Sequence, residues 1–307
     1  MQIALLGANS KFSTGLAIGQ SLIEQGHSVS ALTTFDLGRL KVARGEIQYF
    51  QGELDDPAVR RILDKADAVI DAELPTVLPS DKIRTADVRP CRLRRALAGT
   101  GKTLIVTSNS GVLGDTGPVP LDEKAPVHPF RGFRFLPAME REILQARDVH
   151  GIVIRPALEH GRSVLFPLQY WISLAKECGR GTWLKSGKNS VSAVHSDDLA
   201  DLYCLAMHKV GPGMVIHGAG ETVSIREVAA AIHRGMGFPG EPAGITLAEA
   251  QHYTIARAAR GLCRSHAISG DFAKRALGWR PTRRSILDAV AEKAAEERRW
   301  LPKKPVW

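Results

Sequence analysis

Short, mainly apolar runs recur through the first half of the chain: "QIALLG" (2–7), "HSVSALT" (27–33), "IQYFQG" (47–52), "DAVIDA" (67–72), "KTLIVTS" (102–108) and "HGIVIRP" (150–156). Between them the apolar residues return every three or four positions, at 15–25, 56–66, 84–98 and 138–149. The first pattern suits strands buried on both faces and the second suits helices lying on them. That order predicts an α/β fold built on a doubly wound parallel sheet. Gly26 closes the first helix, and Asp55 or Asp56 followed by Pro57 opens the second.

Beyond residue 156 the alternation loosens. "VLFPLQYWISLAKE" (164–177) has the spacing of an amphipathic helix, and "MVIHGAG" (214–220) reads as a strand. Ser224 with Glu227 three residues on forms a capping box for a helix running to about 234. Gly and Pro punctuate "GMGFPGEPAG", and helical spacing returns at 246–260 and 285–299. No repeat or clean linker divides the chain. We therefore expect a dinucleotide-binding domain over 1–156 and, over 157–307, mainly a smaller mixed substrate lobe, with 190–217 contributing to the core sheet.

Composition narrows the function classes. With 307 residues, 44% of them hydrophobic, the chain can bury a large core. Cys91, Cys178, Cys204 and Cys263 are scattered, which suggests neither a disulfide framework nor a metal site. The net charge of +9 is spread along the chain, with short clusters such as Arg92-Leu93-Arg94-Arg95. That distribution suits an anionic small molecule better than a nucleic acid. No stretch reaches the roughly 18 apolar residues of a membrane span, so a cytoplasmic protein with no membrane partner is expected.

A glycine turn between strand and helix lets backbone N–H groups and the helix dipole hold a pyrophosphate. "GANSKFSTG" (7–15) has that position without the usual spacing: Gly7 and Gly15 are eight apart, and Asn9-Ser10-Lys11 fills the middle. Asn9 and Ser10 can donate to phosphate oxygens and Lys11 adds a charge. With Gly7, Phe12 and Gly15 they make up the candidate phosphate-binding set. A loop that binds nothing is the competing reading. At the end of the second strand Thr33 and Thr34 stand where an acid would hold the ribose of NAD, and Arg39 lies beyond. Lys11 and Arg39 favour NADP(H) over NAD(H), and a cleft without any cofactor is also open.

Further segments carry a resemblance. "GELDDPAVRRIL", "ADAVIDAE", "LAGTGKTLIVTSNSGVLGDTG", "IVIRPALEHG", "SAVHSDDLADLYCLAM" and "SGDFAKRALGWRP" are, nearly end to end, similar to an extended short-chain dehydrogenase/reductase of the NAD-dependent epimerase/dehydratase group. The resemblance implies a Rossmann-type sheet. It also implies that Glu53 and Leu54 lie near the adenine, Ala72 and Glu73 near the ribose and diphosphate, and Thr107 and Ser108 by the nicotinamide. His195, Asp197 and Asp198 match an element read as a hydrogen-bonded helix start. Such proteins often pair through two long helices, here 84–98 and 134–149. A homodimer is therefore expected, with Arg92, Arg94 and Arg95 needing partners.

The same resemblance exposes a loss. The group's reduction chemistry uses a Tyr-x-x-x-Lys pair on the helix after the fifth strand, the tyrosine moving the substrate proton. Aligning "AMEREIL" puts Gly132 in the tyrosine slot and Leu136 in the lysine slot. Candidates for the remaining chemistry are Ser108 and Ser110 as orienting hydroxyls, and His160, preceded by Glu159, as an acid or base. Arg134 could orient an anion, Glu140 reads as a solvated helix-face charge, and Tyr170 and Trp171 are substrate-stacking candidates. The expected function is an NAD(P)-binding enzyme acting on a small organic metabolite, either a reductase with a substitute proton donor or a redox-neutral isomerase or cyclase. A non-catalytic NAD(P) or metabolite sensor is the alternative.

Overall fold

The computed structural model describes residues 1–9, 13–35, 46–73, 85–162, 166–250 and 263–299. Its centre is a parallel sheet made of β1 (Gln2–Leu6), β2 (Ser28–Thr33), β3 (Gln48–Gln51), β4 (Ala68–Asp71), β5 (Thr103–Thr107), β6 (His150–Pro156) and β10 (Met214–Gly218). The strand order is β10-β6-β5-β4-β1-β2-β3. The chain leaves β1 towards β2 on one side and returns to β4 on the other, so the direction of winding reverses between β1 and β4. A crevice opens at the carboxyl ends of the strands at such a point.

Alternate residues of each strand feed opposite faces. Ile3, Leu5, Ile105 and Ile154 pack with α1 (Thr14–Glu24) and α6 (Ser196–Lys209). Ala4, Leu6, Val106 and Val153 pack with α2 (Pro57–Lys65), α3 (Arg89–Ala96) and α4 (Leu136–Leu144). Both faces are covered, which explains why the strands read as apolar runs. The two helices expected at 84–98 and 138–149 are shorter, with Pro90 and Pro137 in their first turns. Arg92 pairs with Asp55, and Arg94 and Arg95 both reach Glu142.

The second lobe holds strands that the apolar pattern missed, most of them only three or four residues long. β7 (Leu158–His160), β9 (Ser190–His195) and β11 (Glu221–Ser224) form one sheet, and β8 (Thr182–Leu184) pairs with β12 (Ala243–Ile245). Of the span 190–217, β10 extends the central sheet and α6 covers it, whereas β9 belongs to the smaller sheet. α5 (Phe166–Cys178), α7 (Ile225–Met236) and the last helix, Ile286–Arg298, enclose a core that includes Leu168, Ile172, Val228 and Val290. The capping box of α7 is formed: Ser224 Oγ accepts the Glu227 N–H at 3.2 Å and Glu227 accepts the Ser224 N–H at 2.7 Å. The helical spacing at 246–260 yields a short helix at Leu247–Ala250, and 251–262 lies outside the described residues.

The chain end returns to the first lobe through α6. His195 Nδ1 caps that helix by accepting the Asp197 N–H, which gives it the structural role expected of it. Asp198 accepts the backbone N–H groups of Thr282 and Arg283, each at 3.0 Å, while its carbonyl accepts from Trp279 Nε1 at 2.7 Å. Trp279 is 2% exposed. Asp198→Ala leaves two backbone donors without their acceptor and is expected to lower stability by about 2–4 kcal/mol. Urea denaturation of the purified variant measures that loss.

Candidate functional site

The crevice between β1 and β4 is built by close backbone packing. Gly7 has φ +92°, and a Cβ there would lie 2.8 Å from the Glu73 nitrogen and 3.0 Å from the Ala72 carbonyl carbon. A Cβ on Gly15 would run into the Gly7 carbonyl. Both glycines are therefore required sterically, and the helix start comes down on the strand ends. Ser13 caps α1 by accepting the Leu16 N–H.

A cleft of about 210 Å³ opens there. Gly7, Asn9, Thr33, Thr34, Glu53, Leu54 and Glu73 all line it, so the structure brings these candidate residues to one place. Ala72 is buried beneath it, next to Gly7. Ser10, Lys11, Phe12 and Arg39 lie outside the described residues. Arg89 and Arg92 also line the cleft, and neither was singled out as a site residue by motif. Arg89 binds both oxygens of the buried Asp71, at 2.9 and 2.7 Å, and reaches Glu73 at 2.5 Å. It starts α3 as one of several arginines in that helix, and only its contact with Asp71 of β4 sets it apart.

Past β5 the polar groups are internal. Thr107 Oγ1 donates to the Asp71 carbonyl at 2.8 Å and shares a 2.5 Å hydrogen bond with Tyr203 of α6. Burial raises the Tyr203 phenol far above its ordinary range. Ser108, fully buried, donates to Glu140 at 2.5 Å. Glu140 is also gripped by Arg155, through Nε at 2.9 Å and Nη2 at 2.6 Å. Glu140 is thus a buried ion-pair member, not the solvated charge its helical position suggested, because α4 turns it inward against β6. Arg155 lies 3.4 Å from His217 Nε2, whose backbone N–H donates to Glu123. Burial, helped by the Arg155 charge, pushes His217 down to about 4. Ser110 is half-buried at the start of a single 3-10 turn, Ser110–Leu113.

The two slots of the missing pair are visible. Gly132 lies in the short turn Arg131–Phe133, and Leu136 is completely buried in the main core with Val112 and Met139. The lysine slot has become packing. Arg134 is exposed. Tyr170 is half-buried, and Trp171, at 6% exposure, is a core residue of the second lobe instead of a surface for substrate.

His160 does not reach the cleft. It is 1% exposed, its ring meets His195 edge-on at 5.3 Å, and Glu221 is 4.0 Å away. Burial, with the neighbouring His195 and Arg284 charges, pushes it down to about 4. An acid or base at neutral pH needs a different group. The preceding residue, Glu159, points to α1 and accepts from the Thr14 hydroxyl. Burial raises its carboxyl to about 7, against the opposing effect of that hydrogen bond.

No family model matches the sequence. An uncharacterised protein of Schizosaccharomyces pombe is 27% identical over 291 residues, covering 91% of this chain and 95% of its own. Among solved structures, the chain is similar to gox2253 at 21% identity and TM-score 0.72, over 98% of each chain. It is similar to dTDP-glucose 4,6-dehydratase of Bacillus anthracis in complex with NAD at 14% identity and TM-score 0.71, over 97% of each. The chain shares this fold with the dehydratase, with a UDP-glucose 4-epimerase of Thermus thermophilus and with a short-chain dehydrogenase/reductase superfamily protein of Agrobacterium tumefaciens. Among the described residues no helix is long and apolar enough to cross a membrane, and no group of three or more histidine, cysteine, aspartate or glutamate side chains is placed to hold a metal.

Two outcomes follow from the buried network. Glu140→Leu strands the Arg155 charge and is expected to cost about 3–5 kcal/mol, against about 1 kcal/mol for Ser108→Ala; chemical denaturation compares them. His160 and His217 are held neutral in the fold and accept protons on unfolding, from an ordinary value of 6.5 down to about 4. The unfolded chain binds more protons in that window, so stability should fall as pH drops through it. Melts of His217→Gln across this range should show a shallower loss than the parent.

Proposed function

We propose that the cleft binds a nicotinamide dinucleotide and that the protein is an oxidoreductase-like enzyme acting on a small organic molecule. One observation carries this reading: Gly7, Gly15 and the start of α1 are packed to leave a polar-rimmed cleft at the reversal of the sheet, where α/β proteins seat such ligands. Backbone N–H groups at the start of α1 would take the diphosphate, and the adenosine half would lie between Thr33, Thr34, Glu53 and Leu54. The absence of an acid at Thr33 and Thr34 favours NADP(H) over NAD(H). Arg92 adds to this, since its partner Asp55 is exposed and the pair can be exchanged for a phosphate.

The bound nicotinamide would supply or accept hydride. The chain contributes little proton transfer from the turn and helix after β5, where Gly132 and Leu136 carry no acid. General acid catalysis ordinarily supplies about 10²–10⁴-fold, so the chemistry should need little of it. Reduction of a conjugated or imine bond fits, as does a redox-neutral isomerisation or cyclisation. The burial of Leu136 also supports a second reading, a sensor that retains the nucleotide and has abandoned turnover.

Calorimetric titration with NADH and NADPH tests the first step. Binding is expected, tighter for NADPH, and lost in Gly15→Val, whose side chain would occupy the place of the Gly7 carbonyl. Failure of both nucleotides to bind overturns the proposal. A panel of carbonyl, enone and imine substrates with the bound nucleotide then separates enzyme from sensor.

A further inference from the structure

Two histidines meet at the end of the sheet opposite the crevice. Gln2 and Ser28 open β1 and β2 side by side, so His27, just before Ser28, lies at the amino ends of the strands. His208 is in the last turn of α6, the helix that packs along α1. His27 is half-buried and His208 exposed. Their Nε2 atoms are 3.3 Å apart, their ring centres 5.3 Å apart and their ring planes 27° from parallel. Neither ring has a part in the packing or chemistry derived so far.

Zinc holds imidazole nitrogens at about 2.0–2.1 Å, so two of them at a tetrahedral angle stand about 3.3–3.4 Å apart, with their ring centres about 5.2 Å apart. Both observed separations match. A direct N–H···N hydrogen bond fits less well, since it would draw the nitrogens to about 3.0 Å. Rings meeting end-on across 3.3 Å would also have their centres about 5.6 Å apart, beyond the 5.3 Å found. The rings therefore meet at an angle, as two ligands of one ion do. Their surroundings favour a cation. α1 and α6 both end here, and the unpaired carbonyls of a helix C-terminus carry partial negative charge. Lys209, next to His208, is turned away and donates to the Leu277 carbonyl at 2.8 Å. The Met1 α-amino group is 3.4 Å from Nδ1 of His27, the ring nitrogen that does not face His208. Burial, helped by that amine and by His208, holds His27 below its ordinary value, so its ring is neutral at pH 7 and has a lone pair to give.

We propose that His27 and His208 form a two-imidazole site for a late first-row divalent cation, zinc above all, which ties the end of α1 to the end of α6. Imidazole nitrogens select zinc, copper and nickel, whereas magnesium and calcium take oxygen ligands. Water completes the coordination shell, because no third metal-ligating side chain is grouped with the pair among the described residues. The ion joins residues 181 positions apart in the chain. Only the folded protein brings them together, so binding adds to the stability of the fold. The site is independent of the nucleotide reading of the crevice, which lies at the other end of the strands.

Calorimetric titration of the full chain, free of added histidines, with zinc chloride tests it. One ion per chain is expected, and zinc at about a hundredfold excess over its Kd should raise the thermal midpoint by several degrees. Magnesium chloride should do neither. His27→Gln and His208→Gln should each weaken zinc at least about tenfold, the loss that follows even when a ligand's outer partner is removed, and each should abolish the thermal shift. His208 is exposed, so His208→Gln should melt like the parent in EDTA, which shows that the fold is retained. His128→Gln, which removes an exposed histidine outside the pair, should bind zinc as the parent does. No stoichiometric binding by the parent overturns the inference. So does binding that is unchanged in both His27→Gln and His208→Gln.

Discussion

The contact on which the rest depends is backbone against backbone, where the start of α1 rests on the Gly7 carbonyl and Gly7 rests on the Ala72–Glu73 peptide. No side chain fits between them. That approach fixes the angle at which α1 leaves the sheet, sets the depth of the crevice and brings α6 across α1 to close one face. It also brings the end of β4 under the loop, which is why Asp71, Glu73 and Arg89 converge there. The widened loop between Gly7 and Gly15 preserves these two glycines and relaxes the spacing between them.

Around that constraint, polar groups have been redistributed. The positions that would carry a proton relay are Gly132, in the turn before α4, and a core leucine at its start, and the ionisable groups near the strand ends are mostly locked: Glu140 by Arg155, Asp71 by Arg89, His160 and His217 by burial. Buried ion pairs of this kind contribute definition of geometry more than net stability. Glu159 differs from them in having a hydroxyl partner and no charge partner among the described residues.

The architecture was legible because strands buried on both faces leave an unmistakable apolar signature, and because Pro57 and the Ser224–Glu227 box mark helix starts through local chemistry. Of the cleft residues, Gly7, Asn9, Thr33 and Thr34 were legible from the glycine turn and the end of the second strand, whereas Glu53, Leu54 and Glu73 came from resemblance, since nothing in their character announces a binding site. What stayed hidden depends on contacts between distant elements. Glu140 has the helical phase of a surface charge until Arg155 of β6 is placed opposite it. His160 looks catalytic at a turn until β9 and β11 close over it. Trp171 is indistinguishable by spacing from a stacking residue until α7 packs against α5 and the last helix is tied to it through Gln169 and Lys176 on Glu297. Glu159 is readable only once β7 is known to carry it to α1.

The grip of Asp198 on Thr282 and Arg283 has a consequence for how the molecule is made. The helix that covers the central sheet is pinned by residues more than 80 positions further along the chain, and β10 joins the sheet only after β6 has waited some 60 residues for it. During synthesis, the first six strands emerge with one edge of the sheet open and α6 unsecured. Such an unpaired edge is prone to associate with other chains until it is covered. Closure of the central-sheet lobe thus waits on Trp279, Thr282 and Arg283, which are synthesised long after the strands they help to secure.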